Sequence, residues 1–151
     1  MKLQVNWLEP IALRDGSRQN LIYSLDLDSI PVAPGVYVFG RGWGEGFEAL
    51  YVGKATNIHA RVKQQLNNLK LMQHLRNART GRRFVVVGEF TPTRGQQIAR
   101  CLPIVERAYI RHFLSDGHDL VNIQGAVLRR HEVMSSHRPM RFVPSVIYVD
   151  R

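Results

Sequence analysis

The stretch that decides the fold runs from Pro34 to Ala55 and reads PGVYVFGRGWGEGFEALYVGKA. Two of its segments, GVYVFG and EALYVGK, are rich in β-branched and aromatic residues, which favour strands. Between them glycine recurs at every second position and supplies the backbone freedom that a hairpin loop needs. We therefore predict an antiparallel hairpin that brings Tyr37 and Tyr51 near one edge of a sheet.

The segments after this hairpin alternate between helical and strand patterns. A helix is predicted from Thr56 or Asn57, either of which can cap it, and a second helical piece over about 70–79 ends at Gly81. RRFVVVGEF, residues 82–90, has the continuous apolar run of a central strand, and a long helix follows over about 95–114, with Pro103 starting or kinking its second part. The apolar spacing predicts two buried stripes: Ile58, Val62, Leu66 and Leu69 in the first helix, and Ile98, Cys101, Leu102, Val105, Ala108 and Tyr109 in the long one.

Both ends of the chain add strand patterns. IALRD and QNLIYSL flank Gly16-Ser17 and predict an N-terminal hairpin, and SVIYVD over 145–150 predicts a C-terminal strand. This order of elements predicts an α+β fold, a small antiparallel sheet with helices packed on it. We predict a single domain over 1–151, with a β extension over 1–29 and a basic extension over 126–151.

Charge is the most informative bulk property. Lys and Arg number 21 against 12 Asp and Glu, a net charge of +9, which favours nucleic acid over an anionic membrane surface as the partner. No acidic residue lies between Ala49 and Gly88, a stretch that contains Lys54, Arg61, Lys63, Lys70, Arg76, Arg79, Arg82 and Arg83. A solvated surface kept for solubility usually mixes both signs, so we favour a phosphate-contacting surface.

Composition excludes several classes of protein. A hydrophobic fraction of 44% fits a globular chain, and no apolar run approaches the ~20 residues of a membrane span. The single cysteine, Cys101, excludes an internal disulfide and a zinc site built on several cysteines. Because the first residues lack the pattern of a secretory signal, we expect a cytoplasmic protein without a membrane partner.

An ordered set of residues runs through the central part of the chain: Gly35-Val36-Tyr37, Tyr51-Val52-Gly53, Lys54, Arg61, Glu106 and Asn122. This set resembles the GIY-YIG nuclease superfamily, and YVGKATNIHARV looks like the matching segment of its nucleotide-excision-repair endonuclease. The resemblance covers residues 30–125 and implies that family's nuclease core there. The glycine-rich loop is longer than usual, and Val36 replaces isoleucine.

The resemblance implies a three-stranded antiparallel central sheet flanked by helices, and hydrolysis of DNA phosphodiesters with Mg²⁺, for which Mn²⁺ can substitute. It assigns Arg61 to the scissile phosphate and Glu106 to the metal. Tyr37 and Tyr51 jointly receive the role of general base, with Lys54 favouring the phenolate. Two further site residues are Asn122, which would orient groups around the metal, and His74, at a spacing where some members carry an active-site histidine.

The predicted partner is DNA, expected to be double-stranded, and cleavage of both strands would require a homodimer or a larger complex. The residues predicted to contact DNA are Lys54, Arg61, Lys63, Lys70, Arg76 and Arg79. Structural alternatives stay open: the tyrosines can pack across the hairpin, His74 can be a surface residue, Asn122 can close a turn, and Arg61 can pair with Glu106. Glu106 lies in an apolar stretch, where a carboxylate needs a partner or a metal. The alternative function is a nucleic-acid-binding module on the same fold that lacks full activity.

Overall fold

A computed structural model describes residues 1–121, 130–136 and 144–150. The chain forms two compact units, Met1–Val121 and Asn122–Arg151. None of the helices in the described residues combines the length and the apolar character that a bilayer crossing requires. The elements are β1 (Val5–Trp7), β2 (Ile11–Ala12), β3 (Arg14–Asp15), β4 (Tyr23–Ser24), β5 (Gly35–Trp43), β6 (Gly46–Ala55), α1 (Ile58–Gln65), α2 (Leu69–Asn77), β7 (Arg82–Phe90), α3 (Ile98–Ser115), β8 (Arg130–Met134) and β9 (Val146–Asp150).

The first unit is built on a five-stranded antiparallel sheet. Its path is β1-β7-β5-β6, and β2 pairs with β7 beside β1. The hairpin of β5 and β6 and the strand β7 therefore form as predicted, and β7 has partners on both sides. The long glycine-rich loop predicted within the hairpin is wrong, because Gly40, Gly42 and Gly46 lie in the paired strands and only residues 44–45 form the turn. An α+β fold with an antiparallel sheet is confirmed, whereas two short N-terminal strands enlarge the sheet beyond the three predicted strands.

The N-terminal hairpin is shorter than its sequence predicts. Only Arg14–Asp15 and Tyr23–Ser24 pair with each other, around a 3₁₀ turn at Ser17–Gln19. Ile11–Ala12, predicted to belong to this hairpin, pairs with β7 instead. A two-stranded hairpin buries little by itself, and pairing with β7 lets the half-buried Ile11 pack against the main core.

Helices cover both faces of the sheet. Neighbouring residues of a strand point to opposite faces, and Tyr37 and Val36 accordingly belong to different cores. Tyr37, Phe39, Tyr51, Val62 and Leu75 are members of the core under α1 and α2. Val36, Phe90, Cys101, Leu102 and Val105 form the core under α3.

Most helix boundaries agree with the sequence predictions. The Asn57 side chain caps α1 by accepting a hydrogen bond from the Ala60 amide, and α3 continues through Pro103. Two predicted core positions are wrong. Leu69 is 62% exposed because α1 ends before it and α2 begins at it with a new cap, and Ala108 is exposed on α3.

The second unit is described by a single antiparallel hairpin. β9 confirms the predicted C-terminal strand, and it pairs with β8 from Arg130↔Asp150 to Met134↔Val146. β8 lies in the basic stretch for which the sequence predicted no strand. Asn122 lies outside the described residues, so its assignment to the site stays a prediction.

Candidate active site

The hairpin of β5 and β6 brings the two motif tyrosines together. Tyr37 pairs with Gly53, and Tyr51 pairs with Phe39, so both phenols point to the face covered by α1 and α2. Their rings stack with centroids 6.0 Å apart and an angle of 21° between the planes. A Cβ atom at Gly53 would overlap the end of the Tyr37 ring. The glycine of the second tripeptide therefore makes room for the tyrosine of the first.

Gln65, at the end of α1, joins the two phenols. Its amide Nε2 donates to the Tyr37 hydroxyl at 2.8 Å and to the Tyr51 hydroxyl at 2.9 Å. The Gln65 side chain is buried, and its Oε1 accepts a hydrogen bond of 3.0 Å from Asn68. Sequence analysis did not select this residue. The sequence feature that could have identified it is its position seven residues after Ile58, which places a polar glutamine on the apolar stripe of the helix.

The phenols are not open to solvent in this structure. Tyr37 is fully buried and Tyr51 is 6% exposed. Burial, and to a smaller extent the neighbouring Tyr51, raise the pKa of the Tyr37 phenol well above its ordinary value, while hydrogen bonds from Gln65 and Arg61 act in the opposite direction. Burial thus favours the neutral form of the Tyr37 phenol.

Alkaline pH should weaken the fold through Tyr37. Its folded-state pKa lies above the unfolded value of about 10, so its contribution to stability is fully present below about pH 10 and is lost as the pH rises toward the folded value. Between about pH 10 and 11 we expect the free energy of unfolding to fall by roughly 1 kcal/mol more in the wild-type protein than in Tyr37→Phe. Urea denaturation at several alkaline pH values measures this difference, with the half-buried Tyr23→Phe as control. Equal slopes for wild type and Tyr37→Phe would contradict the prediction.

Arg61 lies on α1 beside the phenol pair. Its side chain is exposed, it donates to the Gln64 side chain at 3.3 Å, and it is close enough to the Tyr37 hydroxyl to oppose the rise in that pKa. Gln65 is four residues further along the same helix and therefore lies on the same side. Tyr37, Tyr51, Arg61 and Gln65 thus form one group, called the phenol group below.

Glu106 has a partner, and the partner is Lys54. The Lys54 ammonium lies 2.6 Å from Glu106 Oε2, and the two side chains are 39% and 20% exposed. Lys54 is opposite Val36 in the sheet, so it points toward α3, which carries Glu106. Glu106 lies in an apolar stretch, where its carboxylate needs a partner or a metal, and Lys54 is that partner. Its partner is a motif residue, and the alternative pairing of Arg61 with Glu106 does not form.

The predicted residues thus fall into two groups on opposite faces of the sheet. The phenol group faces α1 and α2, whereas the Lys54–Glu106 pair faces α3. Within residues 1–121 no hydrogen bond or ion pair joins Glu106 to either tyrosine. Each group nevertheless has one residue on β6, which is an edge strand of the sheet. Tyr51 and Lys54 are three residues apart on it, roughly 10 Å.

The other predicted residues of the described chain lie on α1, on α2 or just after α2. His74 is half-buried, with its Nε2 3.3 Å from the Asp119 carbonyl oxygen, and it lines a surface cavity of about 470 Å³ together with Arg41, Glu48 and Arg79. Among residues 1–121 it makes no hydrogen bond to another predicted site residue. The remaining predicted DNA contacts are exposed: Lys63, Lys70, Arg76 and Arg79.

Arg83, from the same acid-free stretch, has a structural role. It donates to the carbonyl oxygens of Leu75, Arg76, Ala78 and Gly81. Those oxygens belong to the C-terminal end of α2 and the turn after it, where carbonyls lack helical partners and a cation is favoured. This arginine therefore stabilises the end of α2, and its charge is directed into the protein.

The metal donors of the described residues are few. No group of three or more His, Cys, Asp or Glu side chains among them could hold a metal ion. Glu106 offers one half-exposed carboxylate, and Oε1, its second oxygen, accepts no hydrogen bond within residues 1–121. A single carboxylate would hold a hard divalent cation only together with water and substrate phosphate.

Comparison of the chain with family models, with curated proteins and with solved structures finds no match.

Proposed function

We propose that the protein is a metal-dependent endonuclease that hydrolyses DNA phosphodiester bonds at a GIY-YIG type site. The observation that carries this proposal is the contact between Lys54 and Glu106. The two residues are 52 positions apart in the sequence, and both belong to the ordered set that resembles the nuclease superfamily. The stacked pair of Tyr37 and Tyr51 is a second contact between residues of that set.

The edge of the sheet at β6 is the place where DNA would bind. The phenol group lies on one side of this edge strand and the Lys54–Glu106 pair on the other, so a DNA backbone crossing the edge would meet the exposed Arg61 on one side and Lys54 on the other. Arg61 is exposed and carries the planar fork of donors that matches phosphate oxygens. The exposed cations Lys63, Lys70 and Arg76 continue the positive surface along α1 and α2 and favour phosphate binding.

Each residue of the proposed site has a chemical task. Arg61 binds the scissile phosphate and stabilises the charge that gathers on its non-bridging oxygens. One of the two phenols, after losing its own proton to solvent and becoming exposed when DNA binds, would take the proton of the attacking water, and Gln65 holds both rings in place. Glu106 would hold Mg²⁺, which polarises the phosphate when bound. Since Oε1 accepts no hydrogen bond within residues 1–121, it can take the cation while Oε2 stays with Lys54.

The test of this function is nicking of supercoiled plasmid by the purified chain in Mg²⁺, with a chelator as the control reaction. We expect nicking in Mg²⁺ only, and a loss of about 100-fold or more in Arg61→Ala because a donor to the transition state is removed. Arg18→Ala is the matched control, since Arg18 is exposed on the 3₁₀ turn of the N-terminal hairpin. Chelator-resistant nicking, or equal losses in both variants, would contradict the proposal.

Two observations favour the second candidate, a DNA-binding module without activity. The Tyr37 and Tyr51 hydroxyls are buried and held by Gln65, and the Glu106 carboxylate is neutralised by Lys54. Both features could serve the fold alone, leaving the basic surface to bind DNA. Tight binding of plasmid without nicking in Mg²⁺ or Mn²⁺ would favour this module over the enzyme.

A further inference from the structure

The tip of the long hairpin carries an exposed tryptophan that the proposed chemistry does not use. Trp43 ends β5 and is 46% exposed, an unusual state for so large an apolar side chain. It pairs with Gly46, across a turn in which Gly44 has a positive φ of 53°. The ring lies against Gly46, where a Cβ atom would come within 2.8 Å of it. The glycines at the tip of the hairpin thus shape the surroundings of Trp43.

Arg41 fixes the orientation of this ring. Its guanidinium carbon lies 4.2 Å from the centroid of the Trp43 ring, a cation–π contact. Arg41 itself is buried, bonded to Glu48 at 3.0 Å and to the Thr80 carbonyl at 2.5 Å. Since one face of the indole is occupied by a rigidly held cation, the exposed area of Trp43 is presented in a fixed direction. This is pre-organisation for a planar ligand.

A surface cavity of about 630 Å³ opens beside Trp43. Its walls combine two aromatic rings, Trp43 and Phe84, with three glycines and one arginine, Arg82. The glycines are Gly42, Gly44 and Gly81, and they leave this part of the surface free of side chains. Phe84 packs over Gly40 and Gly42, whereas Trp43 lies with Arg41 on the other face, so the cavity extends around the end of the sheet. Beside Trp43 the glycines leave room for a planar ring of the ligand.

Arg82, the one charged residue that lines the cavity, favours an anionic ligand, although the exposed Glu45 lies in the turn next to Gly44. Arg82 is exposed and makes no ion pair or side-chain hydrogen bond within residues 1–121, and Arg79 is exposed nearby in sequence. The segment from residue 49 to residue 88, which includes both, has no acidic residue. A planar ring next to a phosphate is the chemistry of a nucleotide, and proteins bind unpaired bases by stacking them on aromatic side chains beside cations.

We propose that this cavity binds an unpaired nucleotide of the DNA, with its base stacked on Trp43 and its phosphate at Arg82. The substrate class is then DNA that contains an unpaired stretch, since a base inside a regular duplex is stacked on its neighbours and cannot reach the ring. The inference rests on the proposed function for its choice of DNA, and it assigns substrate recognition to the tip of the hairpin of β5 and β6.

Binding in a chelator, measured on a Glu106→Gln background, tests the cavity apart from the chemistry. The probes are two short fluorescein-labelled duplexes, one fully paired and one with a central run of unpaired thymines, followed by fluorescence anisotropy. We expect the background protein to prefer the second probe and Trp43→Ala to bind it about tenfold more weakly, with little change for the paired duplex. Trp43→Phe should retain part of the preference, because a smaller ring still stacks.

Two further measurements separate stacking from folding and charge. In Trp7→Phe the remaining tryptophan is Trp43, and its fluorescence should be quenched by the unpaired probe. Arg82→Ala should weaken binding of that probe, whereas Arg100→Ala, an exposed arginine on α3, should not. Equal affinity of Trp43→Ala and its parent for both probes would overturn the proposal, as would an unquenched Trp43. If the wild-type protein does not nick plasmid but still prefers the unpaired probe, the proposed nuclease activity is wrong and the proposed nucleotide-binding cavity is supported.

Discussion

Replacing Glu106 by glutamine is expected to reduce Mg²⁺-dependent nicking of plasmid DNA by about 100-fold or more, with the fold intact. A metal ion at the phosphate contributes several kcal/mol of transition-state stabilisation, and each 1.4 kcal/mol or so is tenfold in rate. Glutamine removes the negative charge that a hard cation needs but keeps an oxygen for the Lys54 ammonium. Since Lys54 is 39% exposed, loss of the ion pair should cost at most about 1 kcal/mol of stability.

The matched control for this variant is Glu9→Gln, which neutralises an exposed carboxylate near the N-terminus. Nicking rates and urea denaturation curves of both variants and the wild type should be compared. An active Glu106→Gln would show that the carboxylate serves only as the partner of Lys54. A Glu106→Gln chain that no longer folds would assign the residue to stability, and the metal proposal would lose its main support.

Replacing Gly35 by alanine is expected to lower the free energy of unfolding by about 3 kcal/mol, a large part of the 5–15 kcal/mol typical of a domain. A Cβ atom at Gly35 would overlap the carbonyl oxygen of Gly88 on β7 and would approach the Ile58 side chain to 2.7 Å. The obstacle at Gly88 is backbone, and Gly35 is paired on both sides, with Ala55 and with Glu89. The sheet must therefore open to admit a methyl group.

Gly42→Ala is the control on the same strand. Its nearest obstacle is a ring carbon of Phe84 at 3.3 Å, and this half-buried side chain can shift. We expect a loss of about 1 kcal/mol or less. Equal stability of Gly35→Ala and Gly42→Ala in urea denaturation would contradict the packing explanation of the first tripeptide.

The glycines of both tripeptides thus have a structural reason of their own. The missing Cβ atom of Gly35 leaves room for the backbone of β7, and that of Gly53 leaves room for the ring of Tyr37. Packing alone therefore explains a glycine opposite a tyrosine in a tight hairpin, whether or not the protein is an enzyme. The chemical part of the proposal rests on Arg61, Lys54 and Glu106, which packing alone does not require at these positions.

Local patterns predicted the elements of the fold well. The cap at Asn57, the apolar run of β7 and the two halves of the long hairpin each carry their signal within a few residues. The pairing of Ile11–Ala12 with β7 was missed because a two-residue strand has no periodicity to detect and its partner lies more than seventy residues away. Leu69 was misplaced because the turn between α1 and α2 ends the stripe on which it was counted.

The candidate site was predictable in its members and only partly in its arrangement. The ordered set of motif residues includes Lys54 and Glu106, and the structure places them in contact. The order of the motif residues did not predict that they form two groups. Tyr51 and Lys54 are three residues apart on one strand, and this odd separation directs their side chains to opposite faces of the sheet. Sequence analysis did not identify Gln65 or the Arg41–Glu48 pair, because their roles depend on which side chains the fold brings into contact with them.

The most direct test of the site is a crystal of the protein soaked in Mn²⁺, with the ion located by its anomalous scattering. The proposal predicts a peak against Oε1 of the Glu106 carboxylate, on the α3 face of the sheet. An intact ion pair between Lys54 and Glu106 at a saturating Mn²⁺ concentration, with no peak beside it, would contradict the proposal.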